Sequence, residues 1–184
     1  NAIFKVHRYD PDYPGLAEKD LTASGTLVES AVSDRPRMVP LPAGQFEMGD
    51  HHALGGLEHG NDEIPIHTVS LDAFYIGQYE ITNRQYCAFL NSALAQGEVY
   101  VDAGLVYEST TYQRCCDTFQ NDGYSRIHYD GIDFSVAIDK EDHPVVGIRW
   151  LGAAAYCNWL SISGEYAPCY DLSTGFCDFT RNGF

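Results

Sequence analysis

The sequence predicts an α+β fold with short mixed strands, two main helices and much irregular structure. Apolar side chains recur at helical spacing in two stretches, 83–94 and 151–161. Over residues 68–76, apolar and polar residues alternate as they do in a half-buried strand. Between residues 98 and 142 the chain is rich in Tyr, Asp and Gly with scattered β-branched residues, which favours short strands and loops.

The first β structure is expected over residues 38–48, where apolar side chains surround Pro40, Pro42 and Gly44. This pattern predicts a strand, a turn and a second strand. Residues 50–64, rich in Gly, His and acids, form a loop by composition, and the strand at 68–76 follows. Residues 1–37, with short apolar clusters among Pro, Gly, Asp and Ser, are interpreted as an N-terminal extension or the end of a preceding domain.

Two helices are expected to frame the irregular middle of the chain. Thr82 is a suitable N-cap for the helix at 83–94, and Gly97 is a suitable stop. Residues 145–150 read as a short buried strand, and the helix at 151–161 follows directly. The last twenty residues are expected to be loop.

Charge and hydropathy narrow the possible partners. With 26 acidic against 11 basic side chains, the 184-residue chain carries a formal charge of -15, which would repel a nucleic-acid backbone. No window approaches the roughly 20 apolar residues that a membrane helix needs. We therefore expect neither nucleic acid nor a membrane span.

The number and spacing of the cysteines indicate the cellular compartment of the protein. There are six, an even number without paired CxxC spacing, which favours an oxidising compartment over a zinc site. The chain starts at Asn1 and shows no leader pattern, as expected of a processed protein or of a fragment. The prediction is a secreted or periplasmic protein.

Four sequence blocks, in order, resemble the formylglycine-generating enzymes, or sulfatase-modifying factors. Single blocks of this kind are weakly specific, but four in the same order are not expected by coincidence. The blocks are Met38–Gly49 (MVPLPAGQFEMG), Glu63–Val69 (EIPIHTV) with Leu71, Phe74 and Ile76, Glu80–Tyr86 (EITNRQY) with Phe89, and His143–Val146 (HPVV) with Trp150, Ala153, Ala154, Tyr156, Cys157 and Trp159.

The resemblance implies a fold related to C-type lectins and an oxygen-dependent oxidase that converts a cysteine of a client protein or peptide to formylglycine. In the block over 38–49, it also implies an opening strand pair turned at Gly44. Family members continue past the position of Phe184 with an Arg-Leu-Pro-Thr-Glu-Ala-Glu-Trp run, calcium-binding loops and a copper-binding cysteine pair. Residues 38–184 are therefore expected to be the N-terminal part of the domain, completed by further sequence or by other subunits. No catalytic, copper or calcium ligand can be assigned to this segment by the resemblance.

Among the thiols, Cys115 and Cys116 form the one close pair, but neighbouring residues on an extended chain point to opposite sides and do not easily clamp one ion. Each is instead a candidate for a disulfide with a distant cysteine. Cys169 and Cys177, eight residues apart around Gly175, are candidates for a local disulfide. The two remaining cysteines, Cys87 and Cys157, lie on apolar helix faces and are expected to be core residues.

Two segments of the sequence contain residues that could bind a metal ion. The loop 50–67 combines histidines with carboxylates, but its spacing matches no recognised ligand pattern, and a solvated loop is the competing interpretation. The candidate ligands there are His51, His52, Glu58, His59, Asp62, Glu63 and His67. Segments 121–123 and 129–133 could bring carboxylates together for calcium, although Asp-Gly pairs are first of all turn formers.

Aromatic residues are frequent in the middle of the chain, where they could line a groove for a peptide or a sugar. About half of them are expected to be core instead. They are Tyr100, Tyr107, Tyr112, Phe119, Tyr124, Tyr129 and Phe134. Two functions stay open on this sequence: the formylglycine-generating oxidase, and a non-catalytic lectin-like binding or assembly module on the same scaffold, since a fold does not fix a function.

Overall fold

The computed structural model describes residues 35–51 and 64–184, and the first feature of this described part is a long, interrupted antiparallel ribbon. The part of the expected extension before residue 35 and the loop residues 52–63 lie outside the described residues. The elements follow in the order β1 Met38–Leu41, β2 Gly44–Met48, β3 His67–Leu71, β4 Phe74–Gly77, α1 Asn83–Ala95, β5 Val99–Asp102, β6 Leu105–Glu108, β7 Arg114–Asp117, β8 Ile127–Tyr129, β9 Phe134–Val136 and α2 Trp150–Ser163.

The expected hairpin between the first two strands is wrong. β1 pairs with β4, with Leu41 opposite Phe74, and β2 pairs with β3, with Gly44 opposite Leu71. The two strands therefore run on in one direction, and Gly44 continues the ribbon instead of turning it. The ladder is interrupted beside Pro42, which has no N–H to donate.

Helix α1 confirms the prediction for residues 83–94. The Thr82 hydroxyl accepts from the Gln85 N–H at 3.3 Å, and the Gln85 side chain accepts from the Thr82 N–H at 2.9 Å, which completes a capping box. At the other end Gly97 takes a φ of 71°, a left-handed conformation that glycine adopts without strain.

A three-stranded antiparallel sheet, β5-β6-β7, follows α1. The turn between β5 and β6 places Ala103 at φ 48° and Gly104 at φ 80°, the pair of left-handed residues that a tight hairpin needs. A register shift between Val106 and Tyr107 interrupts the pairing of β6 with β7. A separate pair, β8-β9, completes the short strands that composition predicted.

Helix α2 begins at Trp150, one residue before its predicted start, and the strand predicted just before it is wrong. Residues 144–148 make only isolated bridges, Pro144 with Thr82 and Ile148 with Cys116. The Val145 N–H donates to the Ile81 carbonyl oxygen at 2.9 Å. The segment therefore lies between the start of α1 and β7 and is held by single bridges, without a continuous ladder to either.

The core lies where both helices meet the three-stranded sheet and the β8-β9 pair. Helix α1 packs against β5 and β9, and α2 packs against β7. The buried apolar side chains of this core are Ile81, Tyr86, Cys87, Phe89, Leu90, Ala93, Val99, Val106, Cys115, Cys116, Ile127, Phe134, Leu151, Ala155, Tyr156 and Leu160. Neither helix of the described chain has the length and apolar character needed to cross a membrane.

Candidate functional site

Cys115 and Cys116 lie next to each other on β7, and both side chains are buried, with exposed fractions of 0% and 1%. An ordinary strand would turn one of them outward. The register shift opposite Val106 and Tyr107 is a β-bulge, in which two residues of one strand face a single partner. The bulge explains why two consecutive cysteines both enter the core.

Burial makes both thiols weak acids. Burial, and then the charge of Glu108, raise the pKa of Cys115 to about 12. Burial, and then the neighbouring Cys115, raise the pKa of Cys116 still more. Because Cu(I) binds thiolates, copper ligation here would require two buried thiols to lose their protons. The family resemblance implies the copper-binding cysteine pair past the position of Phe184, not at this pair.

Both cysteines belong to the buried core and are thiols in this structure. The disulfides with distant cysteines that the sequence suggests for them stay predictions.

Tyr86 and Gly152 close the core over the cysteine pair. The Tyr86 hydroxyl lies within interaction range of the Cys116 thiol but makes no hydrogen bond of good geometry. Burial, and then the two cysteines, raise its pKa. A Cβ atom at Gly152 would lie 2.6 Å from the Tyr86 Oη and would collide with the Cys115 carbonyl oxygen. Helix α2 can therefore reach β7 at this point only because residue 152 has no side chain.

The second pair of candidate thiols, Cys169 and Cys177, surrounds a short antiparallel contact near the C-terminal end. Tyr170 lies opposite Cys177, and the Asp178 N–H donates to the Cys169 carbonyl oxygen at 2.8 Å. Burial, and then Cys157 and Cys177, raise the pKa of Tyr170, and Cys169 adds to this effect. The Cys169–Cys177 disulfide stays a prediction.

The candidate calcium carboxylates act as turn residues. Asp130 Oδ1 accepts from the N–H groups of Ile132 at 2.8 Å and Asp133 at 2.9 Å, and these bonds lower its pKa. Asp122 Oδ1 accepts from the Tyr124 N–H at 3.0 Å. These are Asx turns, the competing interpretation of the Asp-Gly pairs.

Of the candidate histidines, His51 and His67 contact backbone carbonyl oxygens of residues 47 and 65. The candidates at 52, 58, 59, 62 and 63 lie outside the described residues. Within ranges 35–51 and 64–184, no three His, Cys, Asp or Glu side chains are arranged to hold a metal ion.

The aromatic residues of the middle segment divide between core and surface, as expected. Phe134 is buried and Tyr129 packs beside it, with ring centroids 4.9 Å apart. In contrast, Tyr100, Tyr107 and Tyr112 cluster on the outer face of the three-stranded sheet.

Sequence reasoning missed the amide side chains that hold the irregular segments. Asn91 on α1 donates to the Phe134 carbonyl oxygen at 3.0 Å and accepts from its N–H at 2.8 Å. Asn158 on α2 makes the same pair of bonds with Tyr170, at 2.7 and 3.0 Å. The sequence signal for these contacts was an Asn next to the apolar positions of each predicted helix, because Asn is not favoured inside a helix unless its side chain has another partner.

Comparisons with known proteins agree with this architecture. The family model of the sulfatase-modifying factor enzyme 1-like domain matches residues 23–176, and so begins inside the stretch that we interpreted as an extension. The formylglycine-generating enzyme of Bos taurus is 30% identical over 168 residues, covering 84% of this chain and 41% of the bovine protein.

Two further proteins that are similar to this chain carry other names. The serine/threonine-protein kinase pkn1 of Chlamydia pneumoniae is 26% identical over 124 residues, covering 67% of this chain and 16% of that protein. The structure of PvdO from Pseudomonas aeruginosa aligns with a TM-score of 0.42 and 22% identity, covering 72% of this chain and 42% of that one. The chain spans less than half the length of these relatives. Because the family model covers most of its residues, the chain belongs to the family of sulfatase-modifying factor enzyme 1-like domains.

Proposed function

We propose that this chain is part of an oxygen-dependent oxidase that converts a cysteine of a client protein to formylglycine. The observation that carries the proposal is the family match over residues 23–176, together with 30% identity to a protein named for this activity. The α+β core supports it as a scaffold: α1, α2 and the three-stranded sheet form one packed unit.

In this proposal the described residues supply the scaffold, and the reactive thiols lie elsewhere in the protein. Cys115 and Cys116 are buried, with exposed fractions of 0% and 1%, and burial raises the pKa of both thiols. The copper and calcium ions that the family resemblance implies would likewise be held by residues outside this segment. We derive no catalytic step from the residues described.

The overall chemistry sets the conditions of the assay. Conversion of a cysteine side chain to an aldehyde breaks its C–S bond, forms a C=O bond and releases sulfur as hydrogen sulfide. Dioxygen accepts four electrons, of which the cysteine supplies two and an added thiol such as dithiothreitol supplies two. The products are therefore the aldehyde, hydrogen sulfide, one water molecule and the oxidised added thiol.

The test is aldehyde formation on a library of cysteine-containing peptides, in air and with dithiothreitol, detected by an aminooxy probe and mass spectrometry. The protein to be assayed is the natural gene product. We expect labelled peptides in air and none under anaerobic conditions. The variant Cys116→Ala should keep the yield per folded molecule. Absence of aldehyde from every peptide would contradict the oxidase.

A non-catalytic binding or assembly module is the second candidate function. It is favoured by the match to a Chlamydia protein named as a serine/threonine kinase, since the same kind of sequence occurs there under another activity. The same peptide library distinguishes the two functions. A module would retain peptides on the immobilised protein without any aldehyde, whereas the oxidase requires turnover.

For location, we infer an exported protein, on the strength of its six cysteines. The two core thiols of β7 need no oxidising environment, so they do not add to this inference. Intact mass before and after alkylation of the natural protein tests it. An exported protein is expected to contain at least one disulfide among the other four cysteines.

A further inference from the structure

The outer face of the sheet β5-β6-β7 carries three tyrosines, of which Tyr100 contacts the other two. Tyr100 lies directly opposite Tyr107 in the register of β5 and β6. Their rings are stacked, with centroids 5.4 Å apart and planes at 17°. The Tyr112 ring stands at 63° to that of Tyr100, with a centroid distance of 6.5 Å. Two rings are therefore stacked, and the third is set at an angle to them.

This tyrosine corner, defined as Tyr100, Tyr107 and Tyr112, faces solvent in the described chain and is held from below. Tyr100 is 37% exposed and Tyr112 is 71% exposed. Tyr112 has a φ of 58°, an uncommon conformation for a bulky residue, and its N–H donates to the Glu108 carbonyl oxygen at 2.9 Å. The Glu108 carboxylate accepts from the N–H groups of Thr110 at 3.0 Å and Thr111 at 2.5 Å. The turn that presents the outermost ring is thus fixed by hydrogen bonds, at a strained residue of the kind found at binding sites.

Two negative charges flank Tyr100 in the corner. Strand alternation puts exposed residues 98, 100 and 102 on the same face, so that Glu98 and Asp102 flank Tyr100 on either side. Arg114, opposite Tyr107 on β7, has its guanidinium engaged by the Asp117 carboxylate. Partial loss of solvent, and then Tyr107 and Asp102, raise the pKa of Tyr100.

We propose that the tyrosine corner binds an alkylated ammonium ion. The faces of aromatic rings attract cations, and rings set at an angle are the usual recognition site for quaternary ammonium groups. The two flanking carboxylates add attraction and disfavour anions. An alkylated ammonium fits better than a primary one, because its alkyl groups add apolar contact with the rings. The site is independent of the proposed oxidase activity.

The experiment is a titration of the full chain with choline, followed through the tyrosine ring protons by NMR at constant ionic strength. The matched neutral probe is 3,3-dimethylbutan-1-ol, which has the same shape without the charge. We expect choline to shift the ring signals of Tyr100 and Tyr112, and the alcohol to leave them in place. Equal shifts with both probes would overturn the proposal, as would tighter binding of a neutral sugar such as glucose.

Single substitutions test whether choline binds at the tyrosine corner or elsewhere on the surface. Tyr112→Ala and Tyr100→Ala should each weaken choline binding roughly two- to five-fold, the value of one exposed ring–cation contact. Tyr100→Phe keeps the ring face and should bind almost as the parent does. Tyr124→Ala removes a ring that is 77% exposed elsewhere and should change nothing. Unchanged choline binding in Tyr112→Ala and Tyr100→Ala, with circular dichroism showing a folded chain, would also overturn the proposal.

Discussion

Adding a single methyl group at residue 152 should destabilise the whole domain. Gly152 lies in the first turn of α2, where its missing side chain lets the helix lie against β7. In Gly152→Ala the new Cβ would lie 2.6 Å from the Tyr86 Oη and 2.8 Å from the Cys115 carbonyl carbon. The neighbour that must move is backbone of a buried strand, which cannot rotate away as a flexible side chain can.

The magnitude follows from two opposing effects. Alanine is favoured over glycine inside a helix by about 1 kcal/mol, and overpacking of a core costs about 1–3 kcal/mol. Because the collision involves backbone, we take the upper end of the second range and expect a net loss of about 2 kcal/mol. With a urea m-value of about 2 kcal/mol/M, the midpoint should fall by about 1 M.

The assay is urea unfolding of the full chain, with Gly123→Ala as the matched control. No atom lies within 4 Å of a Cβ built at Gly123, so that variant should unfold at or slightly above the parent midpoint. If Gly152→Ala is as stable as Gly123→Ala, helix α2 does not approach β7 as closely as described, and the account of the buried cysteine pair fails with it.

Three other changes test separate parts of the fold. Thr82→Ala removes the N-cap of α1 and should lower the free energy of unfolding by about 1 kcal/mol, whereas Thr82→Ser should not. Equal urea midpoints for the parent and both variants would contradict the capping box. Asn83→Ala removes two side-chain hydrogen bonds from the buried Asn83 amide, to the carbonyl oxygens of Lys140 at 2.8 Å and His143 at 3.0 Å. It should cost about 1–3 kcal/mol in urea unfolding, and a neutral result would refute those contacts. Burial raises the pKa of Cys115 to about 12 in the folded chain, against about 8.5 in the unfolded chain, so its contribution to the free energy of unfolding is fully present below pH 8.5. Above pH 8.5 this contribution should fall by at most about 1.4 kcal/mol per pH unit. Between pH 8.5 and 10, the urea midpoint of Cys115→Ala should therefore fall less steeply than that of the parent.

Local signals in the sequence were enough to predict both helices. Thr82 and Gly97 mark the two ends of α1 by short-range chemistry, a capping side chain and a residue free to take positive φ. The apolar run after Arg149 similarly predicted α2 to within two residues at either end. Such features depend on residues at most four positions apart, and a sequence shows them directly.

Strand pairing was not predictable in the same way. Nothing near Gly44 tells that β2 pairs with residues 67–71, more than twenty positions away, and not with β1. The bulge at Cys115 is equally invisible, because it depends on how β7 meets β6. As a result, the burial of both cysteines in the core could not be predicted from the sequence.

The positions of the aromatic residues were predictable only in part. Composition predicted that about half would be core, and Phe134 and Tyr129 fit that expectation. Which tyrosines reach the surface depends on the register of Tyr100 with Tyr107 and on the turn at Tyr112, and both are long-range properties. Alternation around Tyr100 was the available signal, and it placed the flanking acids on the same side.

The most direct test of the central claim, that this segment is a scaffold whose cysteine pair is structural, is alkylation mapped by mass spectrometry. The folded full chain would be treated with iodoacetamide near pH 8, beside a sample unfolded in urea. We predict that Cys115 and Cys116 stay unmodified in the folded chain and react fully in the unfolded one, because they are buried and protonated. Rapid modification of either cysteine in the folded chain would contradict the account and make the pair a candidate for the reactive thiols.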